Sequence, residues 1–437
     1  MMRRGRVIPL QAAPPEATHG PGTGAGRWRA ARLLDAPHRL SFFAAAVLMA
    51  GLALWWLMAL TARWLGLALP WAVSPSLAHG LALALGFMPL FITGFAFTAG
   101  PRWLGLPEVS THRLLRPVLA MVTGWGLAVV GFHASGVVAG VGLVVASLGW
   151  LAVLGRFARM IAASPAPDRL HARGVLAAGI VGAMAMLAGA AGLALPHDDL
   201  ARIATRVAVW GFLAPTFTVV THRMLPFFTA GVLPDQPAWR PDWVLWALLA
   251  TLGVASAGEI ATLATWPGTP GLHAALALLL APGAVLTLWL TVHWGLWPAR
   301  RQRLLAMLHG GFAWLGVALA LQALTHGLAA WQGGAPALGL APLHALTIGY
   351  LGATLVAMIT RVAAGHSGRP VAADAIVWRL YLALQAAAVL RVAAAVWVGL
   401  PAGLMPVAAA LWAVACGGWA WRYGSWFGRP RADGRPG

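Results

Sequence analysis

Acidic side chains are scarce in this sequence and lysine is missing altogether: 437 residues hold 11 Asp and Glu against 30 basic residues, all arginine. Cysteine is nearly absent too. The lone Cys416 excludes an internal disulfide and any cysteine-built zinc or iron–sulfur site, so a metal here would need histidine. Charged residues make up 9% of the chain, where a soluble domain carries about a quarter. With 60% of residues hydrophobic, most of the chain cannot face water, and its solvent is lipid. A formal net charge of +19 would suit a nucleic-acid binder, but the arginines lie in short segments between long apolar runs. That distribution orients membrane helices and calls for no nucleic-acid partner.

A bilayer core of roughly 30 Å takes about 20 apolar residues per helix, and unpaired backbone groups in lipid forbid open sheet. Twelve runs qualify, near 41–62, 77–99, 117–134, 136–155, 174–195, 202–222, 242–265, 272–294, 303–328, 342–362, 375–398 and 402–422. The expected fold is an all-α integral membrane bundle of about twelve transmembrane helices. Its expected parts are an Arg/Pro/Gly-rich disordered cytoplasmic arm over 1–36, a single transmembrane domain over 37–424 and a short basic tail over 425–437. The arm lacks an apolar core and reads as no signal peptide. Arginine tests the threading. Even-numbered connections carry Arg102, Arg113 and Arg116, then Arg156, Arg159, Arg169 and Arg173, and so on to Arg361, Arg369 and Arg379, whereas odd ones carry Arg63 and little else. Cytoplasmic loops hold the excess, which places both termini in the cytoplasm.

No connection has room for a folded soluble domain, so any chemistry lies in or beside the bilayer. Fourteen histidines are many for so apolar a chain, and the threading sorts most onto two levels. Toward the outer face fall His79, His133, His197, His273, His326 and His344; toward the inner face fall His38, His112, His171, His222, His293, His309 and His366. Neutral imidazole ligates copper and heme iron, and facing helices can hold a heme between two of them. The ordinary alternative for any single histidine at a helix end is a hydrogen bond to a carbonyl or water in the interface. His79 and His344 each open a span from the outer side, and His293 and His309 flank the short loop between spans eight and nine as an expected inner pair. His222 and His133 are weaker metal candidates. Glu259 and Arg391 are charges inside spans, costly in lipid, and could pair with each other; Arg391 could instead meet a heme propionate. Trp55, Trp56 and Trp71 read as interfacial-belt residues. The glycine run from Gly182 to Gly192 reads as helix packing.

Several segments in order resemble the NnrS family of bacterial membrane proteins. They are Pro37-His38-Arg39 with Phe42-Phe43; Gly86-Phe87, Gly94-Phe95, Thr98-Ala99, Pro101 and Trp103; His309-Gly310-Gly311-Phe312-Ala313-Trp314; and His344-Ala345-Leu346-Thr347-Ile348-Gly349, Met358-Ile359-Thr360-Arg361 and Gly365-His366-Ser367-Gly368-Arg369-Pro370. The resemblance implies a polytopic protein containing heme, as heme b, and copper, linked to nitric oxide metabolism in denitrifying bacteria and to protection from nitrosative stress. It makes His38, His79, His309, His344 and His366 the preferred metal ligands, and nitric oxide or another small diatomic a candidate ligand. Where the family's second span begins Trp-His-x-His-Glu, this chain reads Leu77-Ala78-His79-Gly80-Leu81, lacking one histidine and the acid. Two other readings compete. A twelve-helix transporter should show a polar midplane site or broken helices, for which Pro89, Pro215 and Pro282 are candidates. A respiratory heme–copper oxidase or nitric oxide reductase subunit should carry a His-His dipeptide, and none occurs.

Overall fold

The computed structural model describes residues 26–335, 337–397 and 399–435. Residues 1–25 of the expected arm therefore lie outside the described residues. Among the described residues there is no strand, and twelve helices are long and apolar enough to cross a bilayer. In chain order the spans are Pro37–Trp64, Pro75–Ala96, His112–Ala134, Gly136–Ala163, Leu170–Ala194, Asp198–Val232, Asp242–Ala264, Pro270–His293, Arg303–Gln332, Ala341–His366, Ala375–Val396 and Leu404–Phe427. Each matches one apolar run, but several are longer. The fifth begins at Leu170 and the sixth runs on to Val232, because a helix in a bilayer continues past its apolar stretch as long as its polar ends find partners.

Two spans are the most enclosed, the second and the tenth. They form the centre around which the others pack. The second is interrupted after Leu85, and a new helix starts at Met88 with Pro89 in its first turn, where a missing N–H costs nothing. The sixth and tenth contain π-helical turns, Val207–Leu213 and Ala345–Gly352. Pro215 follows the first of these directly. Pro282, by contrast, lies within an unbroken helix from Pro270 to His293.

The first and last described segments meet at one end of the bundle. A short 3-10 helix, Ala30–Leu34, precedes the first span, and the Arg29 N–H donates to the Gly428 carbonyl at 2.9 Å. Arg39, in the first turn and 3% exposed, donates from Nη1 to the carbonyls of Phe427 at 3.2 Å and Arg429 at 2.9 Å. Even-numbered connections gather at this same end. The Ser164 hydroxyl bonds the Leu104 carbonyl at 2.8 Å, and Arg223 lies over the Trp103 ring while reaching Asp168 at 3.5 Å.

Small residues set the closest helix approaches. A Cβ on Gly131 would run into the Ala139 backbone, and one on Gly142 would lie 2.5 Å from the Ala128 nitrogen, so the third and fourth spans touch main chain to main chain. The glycines from Gly182 to Gly192 do the same work for the fifth span, seating it against Phe212, Leu81 and Ala201.

Candidate functional site

At the end opposite the termini, a cavity of about 510 Å³ opens between the first, second, sixth, tenth, eleventh and twelfth spans. That size falls within the roughly 300–1,000 Å³ of small-molecule and cofactor pockets. His79 and His344 both line it, from the two most enclosed spans. Trp56 stacks on His79 with centroids 4.0 Å apart, and the Nδ1 of His79 is buried without a hydrogen-bond partner. His344 donates from Nδ1 to the Leu340 carbonyl at 2.9 Å, one helical turn back. Its Nε2 is thereby left as the acceptor, and Arg391 Nη2 donates to it at 3.1 Å. The π-helical turn that follows His344 brings Thr347, Ile348 and Leu351 to the cavity wall, and the π-helical turn of the sixth span brings Val209 and Leu213. Such wide turns inside helices are frequent at functional sites.

At the opposite end, His38 and His366 come together with ring centroids 4.5 Å apart. His38 is 4% exposed, and its Nδ1 has no hydrogen-bond partner. The first turn of span one and the last turn of span ten supply them. Arg431 Nη1 donates to the His366 carbonyl at 3.2 Å and holds that turn against the tail. The sequence that follows, Ser367-Gly368-Arg369, makes the reversal: Gly368 takes φ +68, a left-handed conformation suited to glycine, and Arg369 lies 4.4 Å above the Trp426 ring. His309 stands apart from both sites. It is fully buried, bonds the Thr229 hydroxyl through Nε2 at 3.0 Å and leaves Nδ1 unpartnered.

Other candidates are engaged elsewhere. His133 has both nitrogens occupied, by the Pro70 carbonyl at 2.7 Å and the Trp55 indole N–H at 2.9 Å. His222 meets His171 at 3.1 Å and the Pro241 carbonyl at 3.3 Å. His171 reads as a loop residue in the sequence because Arg169 and Arg173 truncate its apolar run, yet it is buried in the first turn of the fifth span. The expected pairing of His293 with His309 does not form. His293 is exposed and stacks on Trp289 at 4.5 Å. Nor does Glu259 pair with Arg391: Glu259 meets Arg206 at 3.5 Å and accepts from Gln322 at 2.8 Å. Gln322 also reaches His326 at 3.2 Å, and His326 meets His273 at 2.9 Å, a second pair that bonds the Pro267 carbonyl. Trp55 and Trp71 pack around His133 and Trp56 stacks on His79, since an imidazole at a helix end offers a large ring both a stacking face and an acceptor.

Among the described residues no group of three or more His, Cys, Asp or Glu converges. A closed cage of protein ligands, as in a structural zinc site, is thus not what these helices build. Paired imidazoles beside an apolar cavity suit a group that brings most of its own donors. The fold and site together define a multi-pass membrane protein with imidazoles from different spans facing one internal cavity. The family model described as NnrS protein matches residues 32–431, and the chain belongs to the NnrS family. No curated protein matches the chain.

The family segments can be read in this geometry. Most of them pack. Gly310 lies against the Tyr381 hydroxyl, Gly349 lies under the Trp314 ring, and the Trp314 indole donates to Gln385 at 2.8 Å. Thr360 accepts from the Trp419 indole at 3.0 Å, and Arg361 sits 3.8 Å above the Phe228 ring. These contacts fix the ninth, tenth and twelfth spans around the histidines.

Proposed function

We propose that this chain is a heme-binding metalloprotein of the bacterial inner membrane, with both termini cytoplasmic, that acts in nitric oxide metabolism or the nitrosative stress response. The observation that carries this reading is the convergence of His79 and His344 on one cavity, where His79 has a buried nitrogen with no partner. The residues fit the group. Imidazoles of this kind are heme-iron ligands, and the rest of the wall is largely apolar, as a macrocycle requires. His79 and His344 would hold the heme, and its iron, when bound, supplies either an open position for a diatomic or a centre for electron transfer. The chain's own residues prepare the site. Trp56 fixes the plane of the His79 ring, and the Leu340 carbonyl fixes His344 in the tautomer whose Nε2 is unprotonated, the form a metal takes once Arg391 releases it.

Copper is assigned in this proposal to the His38–His366 pair, supported by their close rings and the unpartnered His38 Nδ1. His309 is a further candidate. His222, His133 and His293 are not used.

Oxidised and reduced absorption spectra of the detergent-purified protein, with iron and copper analysis, test the reading. A Soret band and bound iron are expected. Absence of that band and of both metals, in protein from heme-replete cells, rejects it. A transporter is the reading then favoured, since the broken second span and the π-helical turns around the cavity are the interruptions such a site requires.

A further inference from the structure

Around the outer cavity, positive charge is left unmatched. Arg63, Arg202, Arg206 and Arg391 all line it, and among the described residues no carboxylate does. Two of the four have acidic partners set back from the wall: Arg206 meets Glu259 at 3.5 Å, and Arg202 meets Asp199 at 3.5 Å and Asp198 at 4.0 Å on the exposed side. Arg63 lies exposed at the end of the first span, with no ion pair among the described residues. Arg391 is the most telling. It sits within the eleventh span, where its Nη2 donates to His344 and its buried Nη1 has no partner. A neutral imidazole accepts a hydrogen bond but supplies no countercharge. A guanidinium within a membrane span and without a countercharge is costly, and its planar fork is shaped to grip a carboxylate or oxyanion through two donors.

We propose that these guanidiniums form an anion-binding site in which Arg391, with Arg63 and Arg206 on the wall of the same cavity, receives the anionic group of the molecule the cavity holds. The shared chemistry is a planar carboxylate or small oxyanion. For a tetrapyrrole the group is a propionate, and in that form the proposal rests on the heme reading above; a free oxyanion such as nitrite presents the same chemistry without it. Arg391 then exchanges a neutral acceptor, His344 Nε2, for a charged one, and frees that nitrogen.

The test uses the full chain, purified in detergent from cells starved of heme precursors and titrated with hemin and with hemin dimethyl ester, whose propionates are capped. Thermal unfolding with and without nitrite runs in parallel. Hemin is expected to bind about tenfold or more tightly than the ester. Arg391→Gln should erase that preference and Arg391→Lys restore part of it. Arg63→Gln, a change at an exposed position with little bearing on folding, should narrow the preference in the same direction. Equal binding of hemin and ester by the unaltered chain, with no stabilisation by nitrite, overturns the anion site and leaves the heme reading standing. If neither porphyrin binds, the heme reading fails, and the nitrite arm decides alone: stabilisation lost in Arg391→Gln supports the anion site, and no stabilisation of the unaltered chain overturns it.

Discussion

A histidine in this chain is defined by what takes its second nitrogen. His133, His222 and His273 have both nitrogens satisfied by protein groups, and His344 has its second held by the Arg391 guanidinium, whereas His38, His79 and His309 each keep a buried nitrogen without a partner. Burying such a group costs about 1–3 kcal/mol, which a ligand recovers. None of this is written in the sequence, where all fourteen are one letter and only helix-end position and the family segments tell them apart. His344→Ala is expected to lower the heme content of purified protein by more than half, read from the Soret absorbance per protein, while His133→Ala leaves it unchanged. Equal heme in the two variants removes His344 from the site. Arg39→Met tests a structural role instead. Removing its bonds to the Phe427 and Arg429 carbonyls should cost about 1–3 kcal/mol, seen as a lower melting temperature in detergent.

Among the elements, the helices that carry the site are the irregular ones. The second span is broken at Gly86–Phe87, and the sixth and tenth carry π-helical turns, so three spans around one cavity depart from regular winding. Pro89 marks the first interruption in the sequence. Pro215 lies just beyond the second, but Ala345–Gly352 contains no proline, and Pro282 breaks nothing. Within the tenth span's π-helical turn the Trp314 ring lies against Gly349, a contact between ninth and tenth spans that no local rule reads. Regular spans fail differently. Gly142→Leu would drive a side chain into the backbone of the third span, which cannot yield as a flexible side chain would. About 1–3 kcal/mol of destabilisation is expected, with a loss of folded protein in size-exclusion profiles. Gly126→Leu, which meets nothing within 4 Å, is the control and should behave as the parent.

For the molecule as a whole, alternation of arginine is the property that organises everything else. It sorts the connections into two sets, and the tertiary contacts bring the arginine-rich set together with both termini. The rule then predicts which side that end faces. Reporter fusions active only in the cytoplasm should be active at the C-terminus and at the connection following Ala163, and inactive at the connection following Trp64. The reverse pattern would invert the proposed orientation and place the His79–His344 cavity on the cytoplasmic side.

Composition and hydropathy by themselves determined the lipid solvent, the number of spans and the exclusion of cysteine chemistry, because each depends on residue totals or on one continuous segment. The ordered family segments carried membership, and with it the preference for His38, His79, His309, His344 and His366. Only the tertiary structure decided which side chains meet: that His38 in the first span joins His366 in the tenth, that Arg391 turns to His344 and not to Glu259, and that four arginines face one cavity. Such pairings depend on the rotation of each helix about its own axis. In a bilayer that rotation is set by packing against several neighbours at once, which a one-dimensional pattern does not contain.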